Sequence, residues 1–108
     1  MGKHGNSLEN PNPHHLYEIR DTKDDDVFKY GISDDPIGID GMSKRMRDQI
    51  SILNNAVDLL RFIGSILLKK IPGRAKAKTI EDEYIDRYFD AHGKNPRGNP
   101  AGATRNKK

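Results

Sequence analysis

The chain is 108 residues long, 33% apolar and 32% charged, with no Cys and no Trp. A length of that order builds one small domain with a modest, mainly aliphatic core, and the lack of cysteine excludes a disulfide framework or a zinc–thiolate site. The net charge of +3 conceals an asymmetry, because residues 1–65 carry 8 Lys/Arg against 11 Asp/Glu while residues 66–108 carry 11 against 5. The basic half points to a polyanionic partner such as nucleic acid, although a solvated basic face and tail has the same composition. No apolar run approaches the roughly 18–20 residues that span a bilayer. The N-terminus lacks the apolar middle of a signal peptide, and Asn6 stands where myristoylation needs Ser or Thr. These features predict a soluble protein or a piece cut from a larger one.

Residues 1–13, MGKHGNSLENPNP, are rich in Gly, Asn and Pro and read as a disordered linker. Next, β-favouring runs from His15 to Arg20 and from Val27 to Ser33 bracket DTKDDD, a loop suited to a hairpin. Strand alternation places Tyr17 and Ile19 on one side of the first run. In the second it places Phe28, Tyr30 and Ile32 on one side, and Lys29 and Gly31 on the other. Ser43 reads as the N-cap of SKRMRDQISILNNAVDLL, where Met46, Ile50, Leu53 and Val57 recur at helical spacing. Arg45 and Gln49 share a second stripe of that helix.

The run LRFIGSILLKKIP suits a buried helix or a strand, and Gly64 and the terminal Pro72 favour the strand. Last comes GRAKAKTIEDEYIDRYFDAHG, a helix with Ile80, Tyr84 and either Tyr88 or Phe89 on one side and Gly93 as its stop. The tail KNPRGNPAGATRNKK is basic and irregular. The domain is thus expected over residues 14–100, with a basic flexible tail at 101–108. The fold class is α+β, a small sheet with packed helices.

A nuclease needs an activator for its nucleophile, a cation near the scissile phosphate and usually a carboxylate for a metal. Tyr17, Lys29, Arg45 and Glu81 supply these groups, though each alone has an ordinary structural role, such as a core tyrosine or a glutamate facing a helix dipole. Three other groups carry less. Asp24, Asp25 and Asp26 lack the offsets of a calcium loop and read as a solvated turn. His14 and His15 are adjacent and so lie on opposite sides of a strand. His92 near asparagines lacks the arrangement of an HNH nuclease.

In order, LYEI, KYGIS, SKRMRDQI, AKTIEDEYI and NPRGN resemble the GIY-YIG (URI) nuclease superfamily over about residues 15–99. More closely, they are similar to the URI-fold toxin domains at the C-termini of bacterial polymorphic toxins. The resemblance implies a three-stranded antiparallel sheet flanked by helices and divalent-metal-dependent phosphodiester hydrolysis. It implies that Tyr17 is a general base or orients water, that Arg45 clamps the phosphate, and that Glu81 holds a single Mg²⁺ or Mn²⁺. Glu83 is the alternative to Glu81.

Gly31 matches the second-motif glycine, so Lys29 occupies the position of the family's second tyrosine. Strand alternation supports Lys29 as the site residue, poised to lower the pKa of Tyr17 or to contact phosphate. Tyr30 is the fallback if a bulge shifts the register. Gln49 stands where some relatives have histidine, so it suits phosphate binding but not proton shuttling. Asn99 matches the family's late asparagine, which orders the site or contacts substrate, and Asn95 is the alternative. Arg74, with Lys69, Lys70, Lys76, Lys78, Arg97 and the tail, supplies salt-sensitive backbone contacts.

The implied context is the C-terminal toxin module of a secreted effector in interbacterial competition, acting in the cytoplasm of a target bacterium and countered by an immunity protein. Nucleic acid is the expected substrate, DNA over RNA, with little sequence specificity. The rivals are a non-catalytic nucleic-acid-binding module of the same fold and a plain interaction domain.

Overall fold

A computed structural model describes residues 7–57 and 60–99. In chain order the elements are β1 (Pro13–Asp21), β2 (Asp26–Ser33), α1 (Lys44–Val57), β3 (Phe62–Pro72) and α2 (Arg74–His92). β1 is the central strand of an antiparallel sheet ordered β2-β1-β3. This is the expected α+β arrangement. The ambiguous run 60–72 is a strand, and Gly64 has a specific role in it. A Cβ there would lie 2.6 Å from Cδ1 of Ile50, so the glycine lets α1 settle directly on β3.

The pleat of β1 divides the core into two layers. Leu16 packs with Ile32, Ile71 and Ala77 on the α2 side, where Tyr30, Ile80 and Tyr84 complete the layer. Tyr17 and Ile19 pack with Met46 and Phe62 on the α1 side, joined by Ile50 and Leu53. Each fully buried side chain in these layers contributes about 2 kcal/mol. α2 ends at Gly93, whose N–H bonds back to the Phe89 carbonyl at 2.7 Å.

Several local expectations are corrected. Ile19 pairs with Lys29 and Arg20 with Val27, leaving Phe28 as the extra residue of a bulge. Phe28 therefore turns toward the α1 layer, packing edge-on against Phe62 at 5.1 Å instead of siding with Tyr30 and Ile32. Ser43 precedes α1, but its hydroxyl bonds His15 Nε2 at 3.0 Å. The Asp35 carboxylate instead accepts the Arg45 N–H at 3.0 Å, a capping bond from outside the helix.

The described part of the expected linker is fastened down as well. Asn10 is buried, its amide donates to Asp34, and its carbonyl accepts the Arg74 N–H that opens α2. Residues 1–6 and the tail beyond 99 lie outside the described residues, as do positions 58–59 of the expected first helix.

The hairpin turn holds an ion cluster that composition alone does not reveal. Asp21 is fully buried and accepts Arg61 Nε and Nη2 at 2.7 and 2.6 Å, and Arg97 Nη2 at 2.6 Å. It also accepts the backbone N–H groups of Lys23 and Asp24. The neighbouring triplet is not uniformly solvated, because Asp26 accepts the Tyr88 hydroxyl at 2.8 Å while the Asp25 side chain stays exposed.

Arg61 above all, then Arg97 and the turn amides, hold the Asp21 carboxyl well below the usual carboxylate range. A depressed folded-state pKa gives stabilisation that is complete above the unfolded value near 4 and is lost as pH falls through the folded one. Asp21→Asn strands two arginines beside a buried site. It should cost about 3 kcal/mol, a drop of roughly 12 °C or more in Tm. In thermal melts the gap to wild type should narrow as pH falls below about 4. A constant gap would show that the ion cluster is not the cause.

Candidate functional site

The site is organised by the one position opposite Tyr17 that has no side chain. Tyr17 pairs with Gly31, and a Cβ at Gly31 would lie 2.3 Å from Tyr17 Cζ and 2.4 Å from its hydroxyl oxygen. The phenol ring therefore reclines across the backbone of β2. The ring is fully buried, and its hydroxyl donates to Gln49 Oε1 on α1 at 2.7 Å. Arg45 lies one turn before Gln49, on the same stripe of α1.

Charge ties the other expected residues to this phenol. Burial pushes Tyr17 above its ordinary pKa, the Arg45 guanidinium beside it pulls it down, and the Glu81 carboxylate raises it again. The balance keeps the phenol protonated at neutral pH. Lys29 is half-buried on the same face and lowered, by burial first and then by Arg45, with Glu81 opposing. Arg45 and Glu81 thus act on both Tyr17 and Lys29. Through these charges the four expected residues influence one another electrostatically.

Glu81 is the least ordinary member. The buried stripe of α2 is Ala77, Glu81, Ile85 and Tyr88, and Glu81 is only 8% exposed. Ile80 and Tyr84 dock α2 on the Leu16 layer, which fixes where that carboxylate stands. Its ion pair is with Lys78 Nζ at 3.1 Å. Burying a carboxylate is costly, and such positions concentrate at functional sites. Glu83 is exposed on the other side of the helix.

Two adjoining hollows open beside Lys29, Arg45 and Gln49, while Tyr17 and Glu81 line neither. One of about 290 Å³ is lined by Phe28, Lys29, Gln49, Ile52, Leu53 and Gly98. The other, of about 250 Å³, shares Gln49 and Ile52 and adds Asp35, Lys44, Arg45 and Asp48. Together they form an open groove along α1. Ile52, 69% exposed, stands where they meet. Among the described residues no group of three or more His, Cys, Asp or Glu gathers as a metal site, so Glu81 is a single carboxylate among cations.

The model of one protein family, described as URI fold toxin 2, matches residues 7–93, most of the chain. The chain belongs to that family. No curated protein and no solved structure matches it. No described helix of this URI fold toxin is long and apolar enough to cross a membrane.

Three further residues expected at the site of the toxin lie elsewhere. Tyr30 points to the opposite layer, edge-on to Tyr84 at 5.5 Å, because the bulge falls at Phe28 and leaves the Glu18–Tyr30 pairing intact. Asn99 reaches the outer edge of β2. There its Oδ1 accepts the Tyr30 N–H at 2.9 Å and its Nδ2 donates to the Tyr30 carbonyl at 3.0 Å. Both ends of the amide are used on backbone, so Asn99 braces β2, the strand that carries Lys29 and Gly31. Arg74 opens α2 and lines neither hollow.

Sequence reasoning missed Asp35, Phe28 and Gly98. Asp35 caps α1 beside Arg45, and the Gly98 N–H bonds the Phe28 carbonyl at 2.7 Å to complete the groove wall. The bracing segment around 96–99 lies beyond the span that the family model matches.

Proposed function

We propose that this URI fold toxin is a metal-dependent nuclease that hydrolyses phosphodiester bonds, the toxin module of a secreted bacterial effector. The carrying observation is the buried Glu81, whose charge reaches Tyr17 and Lys29 together with that of Arg45. A carboxylate among cations, with a tyrosine hydroxyl fixed nearby, suits phosphoryl chemistry.

The donor set fits a hard cation that keeps most of its waters and shares phosphate oxygens, as Mg²⁺ or Mn²⁺ does on one carboxylate. Glu81 would hold that ion, which when bound supplies charge neutralisation and an acidified water. The chain's own residues do the rest. Arg45 binds the non-bridging phosphate oxygens and stabilises the charge that develops on them. Lys29 adds a second cation from the floor of the groove. Tyr17, protonated and fixed by Gln49, orients the attacking water rather than serving as a free phenolate.

The open groove carries no base-reading element, so cleavage has little sequence preference. Family likeness favours DNA over RNA. The same reading places the domain in the cytoplasm of a target bacterium and requires an immunity protein in its producer, for which the acidic turn and the basic start of α2 (Arg74, Lys76, Lys78) offer charged surfaces.

A non-catalytic nucleic-acid-binding module is the competing reading, favoured by one observation, Lys29 in place of a second tyrosine. The two readings differ in living cells. Induced expression in a bacterial cytoplasm should degrade chromosomal DNA. Arg45→Ala should slow cleavage by about a hundredfold or more while the fold is unchanged. Growth arrest without any loss of nucleic acid would support the binding module instead.

A further inference from the structure

The groove does not stop at Arg45. Asp35, which lines the hollow beside Arg45, also lines a third one of about 400 Å³ whose walls include Pro13, His15, Ile37, Lys69 and Lys70. The Lys69–Lys70 hollow thus borders the Arg45 hollow at Asp35, as the Arg45 hollow borders the Lys29 hollow at Gln49 and Ile52.

That lysine pair is built in an unusual way. Side chains alternate along a strand, so consecutive residues should point to opposite faces. Here His14 pairs with Ile71 and Leu16 with Leu68, leaving Lys69 and Lys70 opposite the single residue His15. This is a bulge, and Lys70 adopts φ 59°, a left-handed conformation rare for lysine. The bulge brings both lysines to the rim of one hollow.

Backbone strain of this sort gathers at functional sites. Both ammonium groups are also unclaimed, for neither lysine forms an ion pair with any described residue. Lys44, Arg47, Arg61, Lys78 and Arg97 are all paired with carboxylates. The two acids in the hollow are spoken for. Asp34 accepts the side-chain amides of Asn10 and Asn12, and Asp35 accepts the Arg45 N–H.

We propose that the Lys69–Lys70 bulge is a second phosphate-binding subsite, which grips the nucleic-acid backbone several nucleotides from the scissile bond. It rests on the nuclease reading and adds to it an extended substrate. Short fragments would occupy the Arg45 end alone and leave the bulge empty.

The test is binding of fluorescein-labelled DNA duplexes of about 20 and about 4 base pairs, read by anisotropy across a salt series. The protein is the Glu81→Gln variant, with and without Lys69→Gln plus Lys70→Asn. Asparagine tolerates positive φ, so the bulge is kept. Lys23→Gln with Arg87→Gln, two exposed cations that line none of the three hollows, removes the same charge elsewhere. Lys69→Glu alone, which leaves residue 70 untouched, is the second variant should the double one unfold.

On the long duplex the bulge variant should weaken binding by about tenfold and make the log–log salt slope shallower by about 2, one unit per lost phosphate contact. The short duplex and the control pair should show no such change. An unmoved slope, or an equal loss in the control pair, would overturn the subsite while leaving metal-dependent cleavage by wild type intact. No binding of nucleic acid by any variant, together with no cleavage, would overturn the subsite and the nuclease reading together.

Discussion

Glu81→Gln should reduce cleavage by about a thousandfold or more, roughly 4 kcal/mol of transition-state stabilisation, and leave Tm equal to or above wild type. The two effects have one cause. Glu81 stands in the buried stripe of α2 between Ala77 and Ile85, a place where an apolar side chain would stabilise the helix more. Its ion pair with the partly exposed Lys78 contributes little to stability. The glutamine keeps the shape, removes the desolvation cost and abolishes the negative charge that Tyr17 and Lys29 feel. Nucleic-acid binding should persist, since the cations of the groove remain. A Glu81 that served structure alone would show the reverse, a lower Tm with cleavage retained. Digestion rates and thermal melts on the same preparations separate the two.

Gly31→Ala should be nearly as damaging, but through packing. The new Cβ would lie 2.3–2.7 Å from two ring carbons and the hydroxyl oxygen of Tyr17, well inside van der Waals contact. The ring is fully buried and its hydroxyl is fixed by Gln49, so the clash is not relieved by a simple rotation. The sheet must open or the ring must leave. Either outcome costs about 3 kcal/mol and breaks the 2.7 Å bond to Gln49, with activity falling by about a hundredfold. A double-mutant cycle gives the check. Gly31→Ala should cost far less stability when Tyr17 is already alanine, with a coupling on the order of 1–3 kcal/mol. Additive effects would show that the glycine is needed for some reason other than the tyrosine ring.

The parts legible in the sequence are those governed by period and local chemistry. The order of elements followed from hydrophobic spacing, and the common face of Tyr17 and Lys29 from strand alternation. Glu81 came from the family resemblance, with its spacing to Ile85 and the core-facing Ile80 and Tyr84 in support. The strand at 62–72 was ambiguous, since an apolar run has no period of its own. Gly64 was read as a weakness in a helix, whereas it is a contact point for Ile50.

What stayed hidden was long-range or irregular. Asp21 meets partners 40 and 76 residues away, and nothing local marks an aspartate in an acidic turn as the buried one. The bulges at Phe28 and at Lys69–Lys70 leave no signature in composition, yet they decide which side chains line the groove. The brace that Asn99 makes was hidden too, because its amide pairs with the open edge of β2 across 69 residues of chain.

The central claim is that Glu81, Arg45, Lys29 and Tyr17 form one metal-dependent hydrolytic centre. Its most direct test is a paired digestion of plasmid DNA and of total RNA by purified wild type and Glu81→Gln, each with Mg²⁺ and with EDTA. Cleavage by wild type in Mg²⁺ alone, absent in EDTA and in the variant, is the predicted result, and it identifies the substrate. Cleavage that survives EDTA or the loss of Glu81, or tight binding with no cleavage under Mg²⁺ or Mn²⁺, would contradict the account.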